Sequence, residues 1–226
     1  MGEIAQLVRA VKSAFGGKAR KPANLRPYKD SENFSGFELS FPPEPAALLK
    51  AELGRARAVL EYGSGGSTFL GLQSGVEIIF SVESDGDWAA RIRAELAKKF
   101  EPSRFIIHHA DIGPTGPWGF PSDKSGAARY PAYAAGPYDM PGFRQPDLVI
   151  IDGRFRAACF TTAMLRCTQP VRVVFDDYFN RPEYQWVEAF FKPVQRAGRM
   201  ALFEVEPRPF PTDYLSKLLA AYVDSD

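Results

Sequence analysis

Cysteine and histidine are nearly missing from this chain: two of each occur in 226 residues, Cys159 and Cys167, His108 and His109. The cysteines fall in one expected helix, eight positions apart. That is more than two turns, too far for a bridge within the helix, so both read as packing residues in a reducing compartment. The histidines are neighbours in an expected strand and point to opposite faces, which excludes a shared metal. They read as structural, with His109 kept as an outside candidate for a base. An excess of charge of one sign is missing too. The formal net charge is +1, so no bulk electrostatic term favours nucleic acid or an anionic membrane. Only the first thirty residues are locally basic, with Arg9, Lys12, Lys18, Arg20, Lys21, Arg26 and Lys29 against Glu3 and Asp30. A solvated face and a patch for an acidic partner both account for them. No apolar run is long enough to span a membrane. The opening "MGEIAQLVRA" lacks the unbroken apolar core of a signal peptide, and position 6 lacks the Ser or Thr of a myristoylation signal. These absences together lead us to expect a cytoplasmic protein with a small-molecule partner, without membrane or nucleic acid. Oligomeric state stays open.

What is present suits a globular chain long enough to bury a core: 45% apolar and 24% charged residues. There is no internal repeat. Ile4, Leu7, Val8, Val11 and Phe15 share one helical face, residues 18–42 look irregular, and "PEPAALLKAELG" reads as a helix begun at prolines and ended at Gly54. Residues 1–56 are therefore expected to be an N-terminal helical extension. From residue 58 onward strands and helices alternate. "AVLEYG", "VEIIFSVE", "RFIIHHAD", "DLVIIDG", "VRVVFDD" and "RMALFEVEP" read as strands. "STFLGLQSG", "DGDWAARIRAELAKKF", the stretch through Phe160, Met164 and Cys167, "PEYQWVEAFFKPVQ" and "TDYLSKLLAAYV" read as helices. The strand runs are apolar throughout, as strands buried on both faces should be. The expected fold of 57–226 is α/β, a Rossmann-like doubly wound, mostly parallel sheet with helices on both faces and its ligand at the carboxyl ends of the strands. Residues 112–146 break the rhythm. They are rich in proline, glycine and aromatics without any period, and read either as a lid over the ligand end or as a poorly ordered insertion.

The carboxylates discriminate between cofactors. "VLEYGSGGSTF" runs from a strand into a glycine turn, and such turns commonly cradle a dinucleotide pyrophosphate. Here Glu61 precedes the first glycine, Gly63, by two residues and would repel phosphate. The third glycine of G-x-G-x-x-G falls on Thr68. S-adenosylmethionine carries a sulfonium and an ammonium and no phosphate, so the same carboxylate attracts it. Gly63, Gly65 and Gly66, with Ser67 and Thr68, let the backbone approach it closely. Glu83 ends the second strand, where a carboxylate accepts ribose hydroxyls. Asp111 ends the third, where it can accept from the adenine amino group with Ile112 against the ring.

With those residues in hand, the stretch from about 57 to 206 resembles a class I S-adenosylmethionine-dependent methyltransferase. "LEYGSGGST" is similar to that superfamily's first motif, with Ser67 in place of the last glycine. "SVESDGDW", "HADIG", "PDLVIIDGRF" and "VVFDDY" resemble the ends of strands two to five in a branch with "IDG" and "DD" motifs. The resemblance implies a seven-stranded sheet with an antiparallel last hairpin, of which only "RMALFEVEP" is evident. It also implies methyl transfer to a small-molecule oxygen or nitrogen. Asp152 and Asp177 are the catalytic candidates, to orient the acceptor or take its proton. Tyr178, Arg181 and Tyr184 are candidates to grip an anionic or aromatic acceptor. Asp152, Asp176 and Asp177 also match the Mg²⁺ ligands of catechol-type O-methyltransferases, although that family's lysine is replaced by Phe155 here. Two other readings stay open: a silent nucleoside-binding protein of the same fold, and an NAD-binding oxidoreductase.

Overall fold

The computed structural model describes residues 37–209 and 211–226. The expected helix through Ile4 and Phe15, and the basic stretch around it, lie outside the described residues. Seven strands form one sheet: β1 (Ala58–Tyr62), β2 (Ile78–Glu83), β3 (Phe105–His109), β4 (Leu148–Ile151), β5 (Val171–Phe175), β6 (Gln195–Ala197) and β7 (Met200–Val205). Their order is β3-β2-β1-β4-β5-β7-β6. The first five run parallel, while β7 is antiparallel to both β5 and β6. The strand that the sequence does not announce is β6, three residues long. It turns through Gly198, at φ +55°, and Arg199 into β7.

Successive strand residues serve opposite layers. Val59, Ile79, Leu148, Ile150 and Val174 pack with helices α1 (Pro43–Leu53), α2 (Gly66–Gln73) and α3 (Gly86–Ala97). Leu60, Tyr62, Phe80, Val149, Ile151, Val173 and Phe175 pack on the other face with α5 (Arg156–Arg166), Ala221 of α6 (Leu215–Ala221) and the 112–146 segment. Each buried Val, Leu, Ile or Phe contributes about 1.5–3 kcal/mol. Filling both layers is what makes the strands apolar throughout.

The 112–146 segment is the crossover from β3 to β4. Parallel strands need a long connection over the sheet face, and β3 to β4 must cross two strands. The connection contains α4 (Pro131–Ala135) and short 3₁₀ turns. Tyr130 and Tyr133 are buried against Phe155. The Tyr62 hydroxyl donates to the Ala134 carbonyl at 2.7 Å, and Phe143 packs on Phe80. "PEYQWVEAFFKPVQ" also departs from expectation. It forms a 3₁₀ helix at Pro182–Ala189, in which Tyr184 and Val187 are buried. Their three-residue spacing is the period of a 3₁₀ turn. Pro193 then stops the helix, and the Val194 amide already pairs with Leu202.

Candidate active site

The glycine turn between β1 and α2 rests on a buried carboxylate. Glu61 is fully enclosed, and its Oε2 accepts from Thr68 Oγ1 at 2.5 Å and Ser81 Oγ at 2.6 Å. Thr68 Oγ1 in turn accepts the Gly65 amide at 2.9 Å, and the Ser64 hydroxyl lies 2.8 Å from that of Ser81. Glu61 thus fixes the turn through its neighbours. Its other oxygen, Oε1, has no partner among the described residues. Burial pushes the carboxyl up to about 7; the Ser67, Ser81 and Thr68 hydroxyls oppose the rise and Glu83 adds to it. Gly63, at φ +98°, lies so close to β4 that a Cβ there would meet Gly153 N at 2.9 Å, while a Cβ on Gly65 would meet nothing within 4 Å. The first glycine therefore permits strand packing, and the second faces open space where a ligand can lie against the backbone. At the end of β2, Glu83 accepts from the amides of Ser64 (3.2 Å), Ser84 (2.7 Å) and Asp85 (3.1 Å). The indole of Trp88 donates to the Ser64 carbonyl at 2.9 Å.

Next to this turn, β4 and β5 end in three carboxylates, which meet the guanidiniums of Arg156 and Arg199. Arg156 donates to the carbonyls of Gly153, Asp152 and Asp176, each at 2.9 Å, which ties the two strand ends together. The same guanidinium lies 3.2 Å from Asp152 Oδ1 and 3.5 Å from Asp177 Oδ2. Arg199, carried in by the β6–β7 turn, grips Asp176 with both prongs at 2.9 and 2.7 Å and reaches Asp177 at 3.3 Å. Asp152 is the most accessible of the three, with 29% of its side chain exposed. Burial pushes its carboxyl up to about 7; Arg156 opposes the shift, and Asp176 and Asp177 add to it.

No protein-family model matches the chain, and no curated protein does. Solved structures do match. A methyltransferase-like protein from Silicibacter pomeroyi is 38% identical over 83% of this chain and 97% of its own, with a TM-score of 0.77. The chain belongs to this family of class I methyltransferase-like proteins. More distant structures share the methyltransferase fold. An O-methyltransferase from Bacillus cereus, solved with S-adenosylhomocysteine, is 15% identical over 89% of this chain and 90% of its own, at TM-score 0.52. An O-methyltransferase from Streptomyces achromogenes, solved with S-adenosylmethionine, is 17% identical over 76% and 82%, at 0.50.

In this methyltransferase-like protein the sequence-expected residues divide. Glu61, Gly63, Gly65, Gly66, Ser67, Thr68 and Glu83 converge on the turn. Asp111 accepts the Gly113 amide at 2.9 Å and pairs with Arg129 at 3.2 Å. Ile112 is buried beneath Gly126. His109 sits on Gly86 at the start of α3, three strands from β4, or about 14 Å at 4.8 Å per strand. Tyr178 is enclosed by Phe175, Phe179 and Phe203, and its hydroxyl donates to Glu188 at 3.0 Å. Arg181 and Tyr184 lie together, 3.3 Å apart, beside Asp177.

The three aspartates expected as Mg²⁺ ligands, Asp152, Asp176 and Asp177, are engaged by arginines. Among the described residues no cluster of His, Cys, Asp or Glu is arranged to hold a metal ion. Both oxygens of Asp176 are committed to Arg199, and the Arg156 guanidinium lies among all three aspartates. Two arginines supply the positive charge that a divalent ion would bring, so the donor set does not fit the ion. Sequence reasoning also missed Ser81, Trp88, Tyr133, Arg154, Arg156 and Arg199. Ser81 had a signal, a lone hydroxyl within an otherwise apolar strand. Arg156 had one as well, four residues after Asp152.

Proposed function

We propose that this chain transfers the methyl group of S-adenosylmethionine to an oxygen or nitrogen of a small-molecule acceptor, without a divalent metal, in a cytoplasmic setting that keeps its two buried thiols reduced. Residues 57–226 carry the activity, and 1–56 extend it. The observation that carries this reading is Glu61: a fully enclosed carboxylate under the glycine turn, with one oxygen unpaired. When ionised, such a group repels pyrophosphate and favours a cationic ligand, and a cationic ligand in turn favours its ionised form. The turn from Gly63 to Thr68 would hold the cofactor, with Glu83 toward its ribose; the methyl group it brings is an electrophile ready for in-line displacement. The chain's own part is positional and acid–base. Asp152 abuts Gly63 across β1 and β4, so it stands beside the cofactor turn. Its raised carboxyl is ionised just above neutrality, where it can take a proton from the acceptor. Arg156 and Arg199 hold Asp177 and Asp176 in place behind it.

The test is calorimetric titration with S-adenosylmethionine and S-adenosylhomocysteine, followed by an acceptor screen with labelled methyl donor. Binding of both nucleosides and labelled product is the expected result. Binding of NADH with neither nucleoside bound would overturn the reading.

A further inference from the structure

Four arginines meet at the carboxyl edge of β4 and β5: Arg154, Arg156, Arg181 and Arg199. Three of them face the aspartates already described. Arg154 does not. It is 6% exposed, its Nε has no partner, and no carboxylate approaches within 4.0 Å of it among the described residues. An enclosed guanidinium without a counter-charge is costly and seeks an anion. One face of the guanidinium stacks on Phe120 of the insertion, 3.8 Å from the ring centroid. Its backbone amide is fixed by the Tyr133 hydroxyl at 3.2 Å. Asp152 and Tyr184 lie within its electrostatic reach. Among the described residues the guanidinium's one hydrogen bond is to the Ser225 carbonyl, at a long 3.5 Å from Nη1. The segment holding that carbonyl is acidic: Asp224 acts on Arg181's side of the site, and Asp226 acts on Tyr184.

We propose that Arg154 is the recognition site for a carboxylate on the methyl acceptor, and that the Asp224–Asp226 segment occupies this site when no acceptor is bound. This rests on the methyltransferase reading above and names its substrate class. With the Asp224–Asp226 segment displaced, the four arginines exceed the aspartates at 152, 176 and 177 by one positive charge, which suits a singly charged planar carboxylate received by a guanidinium fork. Phe120 gives the acceptor's remaining body an aromatic wall.

The probe is benzoate, titrated into the complex with S-adenosylhomocysteine. Saturable binding with a Kd of about 1 mM or tighter is expected, and the neutral isostere benzamide should bind at least about tenfold more weakly. Arg154→Gln should weaken benzoate at least about tenfold while S-adenosylhomocysteine affinity stays within about twofold, which also shows that the variant folds. The double variant Asp224→Asn, Asp226→Asn should tighten benzoate about threefold. Equal binding of benzamide, a preference for phenyl phosphate, no benzoate binding, or undiminished benzoate binding by Arg154→Gln overturns the proposal. Should Arg154→Gln lose S-adenosylhomocysteine, the double variant decides, and unchanged benzoate affinity in it overturns the proposal. A wild-type protein that binds no S-adenosylhomocysteine fails the methyltransferase reading itself, an outcome read before any benzoate is added.

Discussion

Burial raises the carboxyls of Glu61 and Asp152 to about 7, and they should reveal themselves in different measurements. Folded Glu61 keeps its proton up to about pH 7, whereas a free carboxyl loses it near 4.5. The native state therefore binds the proton more tightly, and the stability this group contributes is fully present below about 4.5. It falls as pH rises to about 7 and is level beyond. The loss is on the order of 3 kcal/mol. Glu61→Gln should flatten that slope in denaturant unfolding at pH 5, 7 and 8, and at pH 8, where the carboxyl is ionised, should weaken S-adenosylmethionine binding about tenfold by removing the opposite charge. A Gln variant that kept the slope would refute this placement of the proton. Asp152 should appear in kinetics instead. Its carboxylate takes a proton only when ionised, so kcat should rise with pH through about 7. Asp152→Asn should lower kcat by about 10²–10⁴-fold while leaving cofactor affinity in place. An Asn variant with the wild-type pH profile would remove Asp152 from the chemistry.

At the scale of elements, the parallel core was legible because both layers of the sheet impose apolar residues on every strand position. The glycine turn and Glu61 were legible because they are contiguous in sequence. The arginine clamp was not: Arg199 enters on the antiparallel hairpin, 23 residues from Asp176, and its partner strand β6 is only Gln195, Arg196 and Ala197. The 3₁₀ helix at Pro182–Ala189 was hidden by its three-residue burial period, which reads as an imperfect α-helix. The insertion was visible as an oddity, but its division of labour was not. Pro131–Ala135 and its tyrosines are core, whereas the tip around Gly119 touches the site. The Ser84 hydroxyl donates to the Gly119 carbonyl at 2.9 Å. Trp118, 57% exposed, holds φ +62°, a conformation costly for a bulky residue. Gly119 is itself at φ +69°, and a Cβ there would overlap Ser84 Oγ at 2.3 Å and meet Glu83 Oε1 at 3.2 Å. Gly119→Ala should therefore cost about 1–3 kcal/mol and speed hydrogen exchange across 115–121, with Pro131–Ala135 still protected. Equal loss of protection in both segments would show that the insertion moves as one body.

For the whole molecule, the decisive quantity is which ligands the native state binds in preference to the unfolded chain. The net charge of +1 gives no general attraction for anions or cations, so any stabilisation must come from a built site. In the proposed function the turn above Glu61 takes a cation-bearing nucleoside, and the aspartates of β4 and β5 pair with Arg156 and Arg199. A ligand at about a hundred times its Kd adds about 2.7 kcal/mol to stability. In a chain of this length that raises Tm by about 5–10 °C. S-adenosylhomocysteine should give a shift of that size. NADH at the same concentration should give none, because its pyrophosphate would lie on a turn backed by the buried carboxylate. Mg²⁺ should give none, because Asp176 has no free oxygen to offer, and EDTA should leave methyl transfer unchanged. A rise in Tm with Mg²⁺ that EDTA reverses would mean that the arginines release the aspartates to the ion, and the clamp would then be a gate for the metal and no substitute for it.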